Sequence, residues 1–202
     1  MRLYPKFSVV ILAAGQSRRM GDINKLLLPV KGEPMVRRAA KLYKNLGMQV
    51  SVVVGYEADQ VEVALSGLDV QIILNDAYAS GQQSSVQIGL NAVDTANCAA
   101  VMIALADQPL LTAVDITAFC DAFLQDGSGK IMVPYWGESR GNPVMFPAKI
   151  IEDMRAGNKV SNVRKFVDSN PDIVTRYDAP TNHFVQDIDT YEAAMRILPQ
   201  LS

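Results

Sequence analysis

The sequence predicts an α/β domain with three layers, doubly wound around a mostly parallel sheet. Two observations predict it. Continuous apolar runs, the mark of strands buried on both faces, recur through the first 125 residues. Stretches with helical periodicity separate them, and this strand–helix alternation favours parallel pairing. No repeat, low-complexity tract or linker interrupts the 202-residue chain, so residues 1–202 are expected to form one domain.

The elements follow in order. Phe7 to Ala13 (FSVVILA) is the first buried strand, and Pro34 to Leu46 a helix whose proline suits its first turn. Gln49 to Gly55 is a second strand, Asp59 to Leu65 a helix, and Val70 to Leu74 a third strand. Ser84 to Ala96 reads as a helix with Val86, Leu90 and Val93 on one face, and Ala99 to Leu105 as a fourth strand. Thr112 to Gln125 is a helix opened by a capping box, Thr112 with Asp115 three residues later. Lys130 to Tyr135 and Gly141 to Phe146 are short strands expected to form a hairpin or lid over the sheet. Short helices at Lys149 to Arg155 and Ser161 to Asp168, a strand at Ile173 to Tyr177 and a helix at Thr190 to Leu198 complete the chain.

Composition narrows the function. Hydrophobic residues are 49% and charged residues 20%, which excludes disordered, collagen-like and disulfide-scaffold classes. Lys plus Arg is 19 against 21 Asp plus Glu, so the chain lacks the basic field that nucleic-acid or anionic-membrane binding needs. Cys98 and Cys120 are too few and too far apart for a zinc site and are expected to be buried thiols. There is no 18-residue apolar run and no signal-peptide pattern after Met1 to Lys6, so a cytoplasmic location is expected. His183 is the sole histidine, which excludes His-cluster chemistry, and no G-x-S-x-G elbow supplies a serine nucleophile. It is expected as an ordinary loop or strand-edge residue.

Ligands of such sheets sit beyond the carboxyl ends of the strands, at a topological switch point. After the first strand come Ala13, Ala14 and Gly15, then Arg18, Arg19, Gly21 and Lys25. Small residues with exposed N–H groups, a forked guanidinium and a point-charge ammonium are the ingredients of a triphosphate cradle. The same composition also suits a solvated basic loop. The glycine spacing matches neither G-x-G-x-x-G nor the Walker pattern. At the end of the fourth strand, Asp107 precedes Gln108-Pro109, placed either to hold a hard cation or as a turn aspartate.

The run Leu12-Ala13-Ala14-Gly15-x-Ser17-x-Arg19-Met20-Gly21, followed by Lys25-x-Leu27-x-Pro29, resembles the signature of the MobA-like nucleotidyltransferase family across 18 positions. The resemblance implies a Rossmann-like nucleotidyltransferase fold of the nucleotide-diphospho-sugar transferase type. By that resemblance the backbone of Leu12, Ala13, Ala14 and Gly15 contacts base and ribose, and Arg19 and Lys25 hold the triphosphate. Arg18 falls at a variable position and inherits no role. Ala106-Asp107-Gln108-Pro109 is similar to the family's Leu-Gly/Ala-Asp-x-Pro element, which makes Asp107 a ligand of Mg²⁺, or of Mn²⁺ in its place. Asp187-Ile188-Asp189-Thr190 is similar to its Asp-Ile-Asp-Thr element, and Asp189 or Asp187 is implied to complete the metal site. A plain helix-capping role for Asp189 is the alternative.

The loop from Asn75 through Gly81 to Ser84 and Ser85 is implied to recognise the base. Together with Ala13-Ala14-Gly15 it resembles the cytidylyl-transferring branch. Asn142, in Arg140-Gly141-Asn142-Pro143, is implied to contact the acceptor, as is Asp187. The stretch from Gly157 to Arg164 is a weaker match to the family's Gly-Asp-Lys-Gly-Ala-Arg segment, with Asn158 and Val160 departing from it. The implied substrates are CTP and molybdenum-loaded molybdopterin, and the candidate protein partner is a receiving molybdoenzyme or its insertion chaperone. The alternatives are guanylyl transfer, another phosphorylated acceptor, a non-catalytic cofactor carrier, and an NAD(P)-binding oxidoreductase.

Overall fold

The computed structural model describes residues 2–21, 23–157 and 163–198. The first apolar run forms the central strand β1 (Phe7–Ala13), buried along its whole length. Its side chains alternate between two cores: Phe7, Val9, Ile11 and Ala13 on one face, Val10 and Leu12 on the other. A two-stranded ribbon follows, β2 (Pro29–Val30) with β3 (Glu33–Pro34), turned by Lys31 and Gly32 at φ 53° and 77°. Two consecutive positive φ values are what a tight hairpin requires.

Three crossovers then build the parallel part. Helix α1 (Met35–Asn45) leads to β4 (Gln49–Val54), and α2 (Ala58–Leu65) to β5 (Gln71–Leu74). Helix α3 (Gln82–Ala92) brings the chain back across β1 to β6 (Ala100–Leu105). β1 thus lies between β4 and β6, parallel to both, and the loops leaving β1 and β6 diverge at a switch point. α3 starts earlier than Ser84 and stops at Ala92, because Gly81 turns the chain at φ 116° and Val93 is extended.

Helix α4 (Ala113–Asp126) carries the expected Thr112–Asp115 capping box. Beyond it the two strands expected as a hairpin or lid do pair antiparallel, but within the sheet and not over it. β7 (Ile131–Trp136) and β8 (Ser139–Arg140) pair as a tight hairpin, but β9 (Val144–Pro147) inserts between β6 and β7, antiparallel to both. The reason is its composition: Val-Met-Phe-Pro has no polar residue to offer water, and all four are buried. Helices α5 (Ala148–Ala156) and α6 (Val163–Asp168), edge strand β10 (Val174–Asp178), parallel to β7, and helix α7 (Tyr191–Ile197) finish the fold. The sheet order is β10-β7-β9-β6-β1-β4-β5. Side chains of α1, α2 and α4 fill the core on one face, and those of α3, α5 and α6 the core on the other. Met20, Met35, Leu110, Ile188 and Ile197 form a third cluster with α7.

Cys120 is buried, whereas Cys98 is only half-buried, because it lies in the loop before β6, its thiol reaching the Ala100 carbonyl at 2.8 Å. The start of the helix expected from Ser161 falls among residues 158–162, outside the described residues. No helix among the described residues is long and apolar enough to cross a membrane.

Two contacts control how the layers meet. At Gly89 in α3 a Cβ would stand 2.4 Å from Val10 Cγ1 and 2.9 Å from Val53 Cγ2. The helix rests on the sheet at that point. Alanine in a helix gains roughly 1 kcal/mol over glycine, but overpacking a rigid β-branched floor costs roughly 1–3 kcal/mol. Gly89→Ala is therefore expected to lower stability in urea unfolding, with a reduced midpoint at unchanged slope. A gain in midpoint would show that α3 floats free of the sheet.

At the other face Asp115 is a polar hub. It accepts from Thr112 N (2.9 Å), Thr112 Oγ1 (2.6 Å) and Thr181 Oγ1 (3.1 Å), and lies 2.9 Å from His183 Nδ1. Burial works to raise its pKa, but the bonds from Thr112 and His183 outweigh it and hold the carboxyl below the ordinary 3.8. A depressed folded pKa stabilises the fold above that value, and the contribution is lost as pH falls through the folded pKa. Asp115→Asn should lose less stability than wild type on acidification below about pH 4, measured by urea midpoints across pH.

Candidate active site

The carboxyl ends of β1 and β6 open into a cleft of about 520 Å³. Small residues make part of its lining. Ala14 and Gly15 leave β1 without side-chain bulk, and the N-terminus of α3 presents Gly81 and Gln82 opposite. Unsatisfied N–H groups in the first turn of a helix favour anions.

The loop after β1 is anchored by apolar residues so that its cations face the cleft. Met20 and Leu26 are buried, at 6% and 3% exposure. Ser17 sits at φ 50° and its hydroxyl accepts the Lys25 backbone N–H at 3.2 Å. Asn24 Oδ1 accepts from Leu26 N and caps the turn Lys25–Leu27. With its backbone held there, Lys25 reaches inward and keeps only 11% of its side chain exposed. Its Nζ lies 2.5 Å from Asp107 Oδ2 and 2.8 Å from Asp189 Oδ1. Arg19 remains two-thirds exposed and meets Asp189 Oδ2 at 2.6 Å.

The acids arrive from two distant segments. Asp107 follows β6, where Ala106 N donates to the Leu12 carbonyl. Asp187 and Asp189 flank Ile188, which is fully buried in the third cluster. Ile188 N donates to the Asp107 carbonyl at 2.9 Å. Since neighbours in an extended segment point opposite ways, burying Ile188 turns both aspartates toward Asp107. One carboxylate oxygen from each of the three lies within 4.8 Å of the others.

Electrostatics follow from this crowding. Burial pushes the Asp107 carboxyl above its ordinary value, against the pull of Lys25 and with the push of Asp187 and Asp189. Burial opposes the charge on Lys25, but Asp107 and Asp189 outweigh it and raise its pKa. For Asp189, too, burial raises the pKa, yet Lys25 and Arg19 prevail and hold it below the usual carboxylate range. Asp107 Oδ1 is buried without a hydrogen-bond partner. Three oxygen donors with one orphaned oxygen fit a hard divalent cation and offer nothing to a thiophilic one.

A second pocket of about 210 Å³ adjoins the cleft and shares Leu12, Gln82 and Leu105 with it. Its floor is Val86, Ile103, Val144 and Phe146, and its rim carries Arg140 and Asn142. Of the weakly matched stretch 157–164, residues 158–162 lie outside the described residues, while Val163 and Arg164 line this pocket.

Of the expected site residues, Leu12, Ala14, Gly15, Arg19, Lys25, Gly81, Ser85, Asp107, Asp187 and Asp189 line the cleft, and Asn142 the adjoining pocket. Three do not. Ala13 points into the core beneath α1. Asn75 is buried and donates to both Ser84 Oγ and Ser85 Oγ at 2.9 Å, while Ser84 bonds back to Ala77 and Gly81 carbonyls. Asn75 and Ser84 therefore build the loop and do not line the cleft. Arg18, given no role by the resemblance, lines the cleft as well, as does Tyr78, whose loop carries no periodic signal. Gln108 was also passed over. Its Nε2 donates to the Phe184 carbonyl at 2.7 Å, and Asn142 N donates to the same oxygen at 2.9 Å. One carbonyl thus joins the Asp107 loop to the second pocket. A Cβ on Gly141 would meet that oxygen at 2.5 Å, which explains the glycine there.

The chain is 28% identical over 205 aligned positions to the nicotine blue oxidoreductase of Paenarthrobacter nicotinovorans, covering 96% of this chain and 97% of that one. It is 37% identical over 105 positions to a probable molybdenum cofactor guanylyltransferase of Natronomonas pharaonis, and there spans half of each chain. Among solved structures, a nucleotidyl transferase of Methanothermobacter superposes with a TM-score of 0.79 at 20% identity over 97% of both chains, a likeness of fold. Residues 9–174 match the model of the MobA-like NTP transferase domain. The chain belongs to that family.

Proposed function

We propose that this protein transfers CMP from CTP to the terminal phosphate of molybdenum-loaded molybdopterin, releasing pyrophosphate. The observation that carries the reading is the meeting of Lys25 and Arg19 with Asp107 and Asp189, beside Asp187, in a cleft that adjoins a second pocket. That arrangement suits a nucleoside triphosphate on one side and an acceptor on the other. The cytidine preference rests on the likeness of Ala13-Ala14-Gly15 and the loop through Gly81 to the cytidylyl-transferring branch.

In this reading Ala14, Gly15 and the start of α3 surround the nucleotide, and Lys25 and Arg19 hold its β- and γ-phosphates as pyrophosphate departs. Asp107, Asp187 and Asp189 would hold Mg²⁺ or Mn²⁺, which supplies neutralising charge to the phosphates. Asn142 orients the acceptor in the apolar pocket. The acceptor's phosphate is largely ionised at neutral pH, its second pKa being about 6, so in-line attack needs no general base. That agrees with His183, bound to Asp115 and absent from the lining of either pocket. Catalysis then falls to positioning and electrostatics.

A second reading is favoured by one observation, the match over nearly the full chain to a protein named as an oxidoreductase. Calorimetric titration of CTP, GTP and NADH, with and without Mg²⁺, separates the readings. Expected is metal-dependent CTP binding with GTP weaker by roughly tenfold, about 1.4 kcal/mol. Preference for GTP would move the protein to guanylyl transfer, and NADH binding without triphosphate binding would favour the redox reading. Lys25→Ala and Asp107→Ala should each slow transfer by about a hundredfold or more, as loss of a preorganised charge does, with the circular dichroism spectrum unchanged. Wild-type rates in either variant would refute the assignment.

A further inference from the structure

The site pairs most of its charge internally before any ligand arrives. Two of the three carboxylates suited to a divalent cation, Asp107 and Asp189, already hold the side chains suited to phosphates, while Asp107 Oδ1 has no partner. Lys25 Nζ lies between Asp107 and Asp189 at 2.5 and 2.8 Å, and Arg19 closes on the other Asp189 oxygen at 2.6 Å. An ammonium in that position excludes a metal ion from the same oxygens, because Mg²⁺ needs oxygen contacts of about 2.1 Å in near-octahedral geometry. Three carboxylates against two cations leave a charge of only −1 to attract a lone divalent ion. A lone triphosphate fares no better, since both of its expected cations are committed to aspartates.

We propose that Lys25 is a displaceable counter-ion which makes divalent cation and triphosphate bind in concert: the cation releases Lys25 from Asp107 and Asp189, and the released ammonium takes up the phosphates. This rests on the reading of the cleft as a metal–triphosphate site and adds the order of events within it. The geometry permits the exchange without loop movement. The Lys25 backbone is fixed by Ser17 Oγ and by buried Leu26, while its four-carbon stem is flexible and carries a point charge that can turn to a new partner. Each ligand removes an ion pair that opposes the other, so the coupling is reciprocal.

Two measurements test this with Mn²⁺ and inorganic tripolyphosphate as probes, which leaves the identity of the base aside. In wild type, acetylation of Lys25 read by peptide mass spectrometry should be slow relative to exposed Lys149. It should rise several-fold when Mn²⁺ alone is forced on at high concentration, and fall again when tripolyphosphate is added. Unchanged Lys25 labelling on Mn²⁺ binding would overturn the proposal. In parallel, free Mn²⁺ is followed by electron paramagnetic resonance. Lys25→Gln should bind Mn²⁺ without tripolyphosphate roughly tenfold tighter than wild type, within the usual range of coupling. Lys25→Arg, which keeps the charge, should stay as weak as wild type. If Lys25→Gln binds Mn²⁺ no tighter while wild type still binds tripolyphosphate only with metal, the counter-ion role fails and the reading of the site stands. If wild type binds neither probe in any combination, both fail together.

Discussion

Three carboxylates with oxygens within 4.8 Å of one another repel in a partly buried corner unless a positive charge sits among them or one takes up a proton. At that separation each ionised pair repels by about 3–4 kcal/mol even at an effective dielectric of 20. Lys25 touches two of the three and keeps 11% of its side chain exposed, so its attraction is little screened. Arg19 also touches Asp189, but with two-thirds of its side chain in water it contributes far less. The site in its resting form therefore depends on one ammonium. Everything that positions Lys25, from the left-handed Ser17 to the buried Met20 and Leu26, serves to keep it there.

The acids are held by main-chain bonds, not by one another. Ile188 N to the Asp107 carbonyl binds the C-terminal segment to the loop after β6, and Ile188 itself is sunk among Met20, Leu110 and Ile197. A little upstream, the Phe184 carbonyl accepts from Gln108 and from Asn142. Farther back, Asp115 grips Thr181 and His183. Residues 181–189 thus run along the mouth of the sheet, held at each few residues to a different part of it. The segment can hold Asp187 and Asp189 to the tolerance a small cation needs because it carries little freedom of its own.

Inserting β9 antiparallel between β6 and β7 has a consequence for the chemistry. It brings Asn142, just before β9, to the same end of the sheet as Asp107, just after β6. Two pockets then share a wall of Leu12, Gln82 and Leu105. A parallel strand in that place would have carried its leading residue to the opposite end.

Much of this was legible in the residues themselves. Apolar runs such as FSVVILA reveal doubly buried strands because a parallel sheet covered on both faces tolerates nothing else. The loop around Arg19 and Lys25 and the Asp107 turn were legible because their chemistry lies in contiguous residues. The alternation Asp187-Ile188-Asp189 already told that both acids share a face. What the sequence could not decide is what depends on partners far apart in the chain. Asn75 and Ser84 read as ligand contacts, and only the fold shows that they also bond to each other. β9 reads as one arm of a hairpin or lid, and nothing in its four residues marks β6 as its other neighbour. Gln108 looks like filler between Asp and Pro until Phe184, 76 residues on, supplies its acceptor. The kinds of groups in this site were set by the sequence alone, since residue chemistry is local. Which of them meet, and that Lys25 rests on the aspartates, was decided only by the tertiary structure, because charge pairing and burial act across space and not along the chain.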